Sequence, residues 1–109
     1  RSAIRFVVSD WVVAEFSAAL SRKRMMRQIS EKLREEAQLT FDELAAGEFD
    51  VLPVVRKEFH VAAELARRSA QGLRAGDALH LAITKNHALK LCTRDMKLAA
   101  AGAELGCPI

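Results

Sequence analysis

Three carboxylates carry the chemistry this sequence could perform: Glu15, Asp77 and Asp95. At helical spacing, the neighbours of Glu15 three and four residues away are Trp11, Val12, Ala18 and Ala19, all apolar, with no Lys or Arg within a turn on that face. An ionised carboxylate on a buried face costs several kcal/mol or shifts its pKa unless something pairs with it. Either that stripe faces a solvent gap or a distant arginine, or Glu15 has a task such as holding a metal. Asp77 and Asp95 each stand just before an apolar helix, which is also the place of an ordinary N-cap. Position adds to them. Asp95 follows the strand-like Leu89–Thr93 at its carboxyl end, where open α/β sheets place their ligand sites, and Asp77 heads the helix that leads into that strand.

Carboxylates without accompanying His or Cys suit hard, oxygen-seeking ions such as Mg2+ or Mn2+, not zinc. Such ions serve phosphate chemistry, activating a water and neutralising charge on the displaced oxygen. The charge distribution agrees in sign. Arg22, Lys23, Arg24, Arg27, Lys32 and Arg34 stand against Glu31 alone, a local balance of +5, so the rest of the chain carries −2 of the +3 total. A basic patch on a slightly acidic body fits a phosphate backbone, with Arg22, Lys23, Arg24 and Arg27 as candidate contacts to it. It equally fits a solvated helix end and turn.

Other chemistries lack their motifs. No GxGxxG or GxxxxGK[ST] cradle and no GxSxG elbow occurs. His60 and His87 read as surface residues, His80 as a packed, hydrogen-bonded histidine and Trp11 as core. Cys92 and Cys107 lie 15 residues apart with no CxxC, so both read as reduced thiols of a cytoplasmic protein.

The elements that must position these groups follow from periodicity. Ile4–Val8 is a short buried strand, and Ser9 with Asp10 caps a helix from about Trp11 to Lys23. A second helix follows Ser30, with Leu33, Ala37, Phe41 and Leu44 in period and Gly47 at its end. Thr40 to Glu43 resembles a capping box, but it falls inside that unbroken period. Asp50–Val54 is a strand at a sheet edge, because Pro53 cannot donate to a ladder. Val55, Phe59, Ala62, Ala63 and Ala66 mark one face of a helix reaching about Ala70. After the loop 71–76, Asp77 opens a helix over Ala78–Ile83 that is apolar on most sides and therefore buried. Leu89–Thr93 forms a third strand, Met96–Leu105 a last helix, and Cys107–Ile109 a strand stub. With 109 residues, 50% of them hydrophobic and 28% charged, the chain reads as one soluble α/β domain with a mainly parallel sheet. No apolar run approaches the roughly 20 residues of a membrane span, and no signal peptide is visible.

The segment Leu73-Arg74-Ala75-Gly76-Asp77-Ala78-Leu79-His80-Leu81-Ala82, followed by Leu89-Lys90-Leu91-Cys92-Thr93-Arg94-Asp95, closely resembles the carboxyl half of PIN domains, and among them VapC-type toxins of toxin–antitoxin pairs. Val7 to Phe16 resembles the family's second acidic motif, and Ala101 to Ile109 its closing helix and strand. The resemblance implies a three-layer PIN-like fold, a sheet flanked by helices, spanning 1–109 as a single domain. It implies a metal-dependent endoribonuclease in which Glu15, Asp77 and Asp95 hold Mg2+ or Mn2+, with Thr93 a supporting hydroxyl. It also implies an RNA substrate, a homodimer, a cognate antitoxin that wraps the toxin, and no membrane partner. The family begins with a central strand ending in an Asp and then a helix, which this sequence lacks. The expectation is therefore that Arg1 is not the natural start and that one metal acid and the central strand are missing. A PIN-like module that binds antitoxin or RNA without cutting is the alternative, and an unrelated doubly wound α/β domain a more distant one.

Overall fold

The computed structural model describes residues 6–88. In chain order these form β1 (Val7–Ser9), α1 (Asp10–Met25), α2 (Glu31–Gly47), β2 (Asp50–Leu52), α3 (Arg56–Arg68) and α4 (Ala75–Asn86). The chain groups into two compact units, Arg1–Pro53 and Val54–Ile109. The expected Leu89–Thr93 strand, the Met96–Leu105 helix, the terminal stub and both cysteines lie outside the described residues.

In the first unit, β1 and β2 pair in parallel, Val7 opposite Asp50, Val8 opposite Val51 and Ser9 opposite Leu52. Parallel neighbours need a crossover connection, and α1 and α2 supply it. This is the expected mixed α/β class. Ser9 closes the strand and starts the helix: its hydroxyl accepts the Val12 N–H at 3.2 Å. Asp10 therefore does not cap but sits in the first turn, where its charge suits the positive end of the helix. Ser30 caps α2 in the same way, accepting the Leu33 N–H at 3.1 Å. The helix then runs without a break through Thr40, as the period required. β2 stops at Leu52, shorter than expected, because Pro53 offers no N–H to extend the ladder.

Aromatic contacts tie this unit together. Phe16 of α1 stacks on Phe41 of α2 with centroids 4.2 Å apart and planes at 13°. Phe49 meets Phe41 edge-on at 6.1 Å and Phe6 at 6.4 Å. Phe41 is the buried member, so the hairpin of helices and the sheet share one hydrophobic column. Beside it, Ser17 donates to Gln38 at 3.0 Å and Gln38 to Asp42 at 2.8 Å.

In the second unit, α3 and α4 pack through Ala62, Leu65, Ala78, Leu79, Leu81, Ala82 and Ile83, all buried. Burial of α4 on most sides is as expected. The inward face of α3 is not. The sequence placed Val55, Phe59 and Ala63 on it, yet Val55 and Phe59 are 46% and 49% exposed and Ala63 is exposed as well. Of that face Ala62 is buried and Ala66 half-buried as expected, and Glu58 and Leu65 take the other inward positions. The reason is polar: the Glu58 carboxylate is held where the start of α3 meets the end of α4, which draws Glu58 and Leu65 inward in place of Phe59 and Ala63.

Candidate functional site

Glu15 lies in the middle of α1, and its side chain is exposed. The burial premise drawn from its apolar neighbours is thus corrected. Trp11 and Val12 are half-buried, Ala18 and Ala19 are exposed, and no residue of α1 is fully buried. Apolar residues surround α1 instead of forming one stripe, so local spacing could not reveal which side is covered. Trp11 is half-buried rather than fully core, and its indole N–H is buried with no acceptor among the described residues.

Asp77 is also placed differently from expectation. The helix α4 starts two residues earlier, at Ala75, with Arg74 at the capping position and no side-chain cap. Asp77 is therefore a first-turn residue, half-buried, and not an N-cap. Gly72 makes the early start possible: it takes φ +65, a left-handed conformation open to glycine at little cost, and turns the chain into Arg74. Freed from capping, the Asp77 carboxylate sits in the first turn of α4, at the positive end of the helix dipole. His80, one turn further, is half-buried, and its carbonyl accepts the Thr84 hydroxyl at 2.7 Å.

Glu15 belongs to the first unit and Asp77 to the second. Asp95 and Thr93 lie outside the described residues. Among the described residues no three His, Cys, Asp or Glu side chains gather at metal-binding distance. The donor chemistry of the two placed acids, oxygen only, suits a hard divalent cation.

The basic segment occupies the end of α1, the turn after it and the start of α2. Arg22, Lys23, Arg24 and Arg27 are all exposed. Glu31 accepts from Arg24 Nε at 3.1 Å and from Arg34 through Nε at 3.0 Å and a terminal nitrogen at 2.6 Å. These hydrogen bonds from Arg34, with its charge and the bond from Arg24, hold the Glu31 carboxyl down at about 2. The turn closes by backbone bonds, Gln28 N–H to the Lys23 carbonyl at 2.9 Å and Arg27 N–H to the Arg24 carbonyl at 3.1 Å. That is the Schellman pattern, with Arg27 in its left-handed position at φ 59.

Sequence reasoning missed Glu58, which is fully buried. Its Oε1 accepts the Val55 N–H at 2.9 Å, and its Oε2 accepts from Asn86 at 3.0 Å and from His87 Nε2 at 3.1 Å. Burial pushes the carboxyl up, but the Val55 and Asn86 hydrogen bonds and the His87 contact outweigh it and leave the group below the ordinary range. His87 is exposed, as expected, but ties the end of α4 to the start of α3. The available signal was a glutamate three residues after the helix-start residue Val55, the capping-box spacing.

We find no match among curated proteins or solved structures. The model of one family, the PIN domain, matches residues 1–104. That match takes in both placed acids, the basic turn and the paired parallel strands, and it covers nearly the whole sequence: the chain belongs to the PIN domain family.

Proposed function

We propose that this chain is a metal-dependent endoribonuclease, the toxin of a toxin–antitoxin pair of the VapC type, acting in the cytoplasm. The observation that carries the reading is the match over residues 1–104 to the PIN domain, a family of nucleases, and the resemblance of the segments around Glu15, Asp77 and Asp95 to that family's acidic motifs supports it. Glu15, Asp77 and Asp95 would hold Mg2+ or Mn2+, and a bound ion would supply an activated water and charge neutralisation at the displaced oxygen. The protein's own part is to orient. The Glu15 carboxylate, exposed on α1, and the Asp77 carboxylate, in the first turn of α4, are acceptors fixed on helices. Thr93 supports them with a hydroxyl. Arg22, Lys23, Arg24 and Arg27 attract the RNA strand by charge, which raises encounter rates without selecting a sequence. A homodimer and a wrapping antitoxin complete the proposal.

The deciding experiment is cleavage of RNA with Mg2+ or Mn2+ and with chelator. The expected outcome is divalent-stimulated cleavage that falls at least a hundredfold in Glu15→Gln, Asp77→Asn and Asp95→Asn, since losing one charge-stabilising group costs about 10²–10³ in rate. Cleavage that survives in Glu15→Gln or Asp77→Asn places the site elsewhere. A second reading, binding without cutting, is favoured by the basic turn, which lies wholly within the first unit and needs none of the acids. RNA or antitoxin binding without metal-stimulated cleavage selects it.

A further inference from the structure

The turn between α1 and α2 carries an anomaly of type. In the Schellman pattern that ends α1, the left-handed position is ordinarily glycine, because a side chain there crowds the following carbonyl. This chain puts Arg27 there, at φ 59. Local folding favours glycine, so the arginine is not explained by the turn it sits in. Its surroundings supply a second observation. Arg22, Lys23 and Arg24 form the exposed last turn of α1, and the Ser30-capped start of α2 adds its positive dipole end. The opposing α1 carbonyls are spent, since Arg22, Lys23 and Arg24 each accept a backbone N–H within the turn. Four cationic side chains face solvent there, with Met25 and Met26 exposed between them.

Acids stand here too, Glu31 between two arginines and Glu35 beside Glu31 and Arg34. Arg24 and Arg34, from different helices, converge on the Glu31 carboxylate. Two guanidinium groups around a pair of oxygens is the arrangement that binds a phosphate oxyanion. Among the described residues, Arg24 donates to Glu31 through its Nε and not through its terminal nitrogens.

Resting on the nuclease reading for the nature of the polyanion, we infer that the α1–α2 turn is a cradle for the RNA sugar-phosphate backbone, in which Arg27 is kept for its charge and Glu31 is a built-in competitor for Arg24 and Arg34. The cradle reads charge and not bases, because no aromatic side chain stands among residues 21–34 for a base to stack on. Glu31 tempers it: with the carboxylate in place the two arginines grip a phosphate weakly, and RNA leaves more readily after contact.

The test measures binding of a single-stranded RNA oligonucleotide to the full 109-residue chain by fluorescence anisotropy in chelator, across a salt series, beside denaturation midpoints. Arg27→Gly is expected to keep or raise the midpoint while weakening binding on the order of threefold and shallowing the salt slope by about 0.7. Glu31→Gln is expected to tighten binding and steepen the slope. Unchanged binding in Arg27→Gly, or weaker binding in Glu31→Gln, overturns the inference. So does binding to phosphatidylserine vesicles with none to RNA, which would assign the turn to a lipid surface. Failure here is separable from failure of the nuclease reading. If turn variants bind like the parent while cleavage still requires Glu15 and Asp77, the cradle alone is wrong. If the turn behaves as described but Glu15→Gln and Asp77→Asn cut normally, the acidic site alone is wrong.

Discussion

Replacing Glu58 with glutamine should be among the most damaging single changes in the second unit. The carboxylate is fully buried and takes three hydrogen bonds, from Val55 N–H at 2.9 Å, Asn86 at 3.0 Å and His87 at 3.1 Å. Hydrogen bonds to a charged group contribute about 1.5–3 kcal/mol each, but they do not add independently when they share one acceptor. Glutamine keeps one oxygen and turns the other into an NH2 that faces a donor. Breaking a buried ion pair costs about 3–5 kcal/mol, an upper bound because the His87 side chain is 36% exposed. The expected loss is therefore about 2–3 kcal/mol, a large share of the roughly 5–15 kcal/mol that holds a domain.

The pH dependence gives the sharper check. The folded-state pKa of Glu58 lies below the ordinary 4.5, so the unfolded chain takes up its proton first as acid is added. The stabilisation is fully present above 4.5 and is lost as pH falls through the lower, folded value. Urea denaturation of parent and Glu58→Gln should show a wide gap at neutral pH that narrows in acid. A gap under about 0.5 kcal/mol, or one that stays constant from neutral to acid, would refute the view that an ionised Glu58 clasps the two helices.

Four further outcomes follow from the same geometry. Phe41→Ala removes the buried partner of Phe16 and Phe49 and should cost about 3 kcal/mol, at the low end for a phenylalanine because its cluster is partly open, read by denaturant midpoint. Ser30→Ala strips the cap from α2 and should cost about 1 kcal/mol, with Ser30→Asp restoring most of it. Gly72→Ala should cost about 1 kcal/mol through backbone strain alone, since nothing lies within 4 Å of an added methyl. Ala88→Gly should stabilise by about 0.5–1 kcal/mol, because Ala88 holds φ 53 after α4.

The helices were legible where a local donor–acceptor rule fixed them. Ser9 and Ser30 start α1 and α2 as their hydroxyls dictate, and the Leu33–Ala37–Phe41–Leu44 period carried α2 through a misleading Thr40. What local pattern could not reveal was which face is covered. Around Glu15 the apolar neighbours pointed to burial, yet α1 is apolar on several sides and Glu15 faces solvent. In α3 the apolar count favoured Phe59, but the partners of Glu58 sit 28 and 29 residues away at Asn86 and His87, beyond any window of periodicity. A buried charge whose partners are distant in sequence is invisible until the chain folds. The start of α4 was misplaced for a related reason: an aspartate before an apolar run looks like a cap, whereas Gly72 and Arg74 set the true beginning.

That last correction changes what a mutation at Asp77 can mean. Had Asp77 been the N-cap, Asp77→Asn would have been ambiguous, since asparagine caps nearly as well and Asp77→Ala would have cost about 1 kcal/mol in helix stability. In the first turn of α4, with Arg74 at the capping position, the carboxylate's contribution through the helix dipole is roughly 0.3–1 kcal/mol and less in salt. Asp77→Asn preserves shape and removes little more than that charge. Its denaturation midpoint should stay close to the parent's, while RNA cleavage should fall at least a hundredfold if Asp77 holds the cation. A large stability loss would mean that Asp77 supports the fold. A stable protein with full cleavage would remove it from the site.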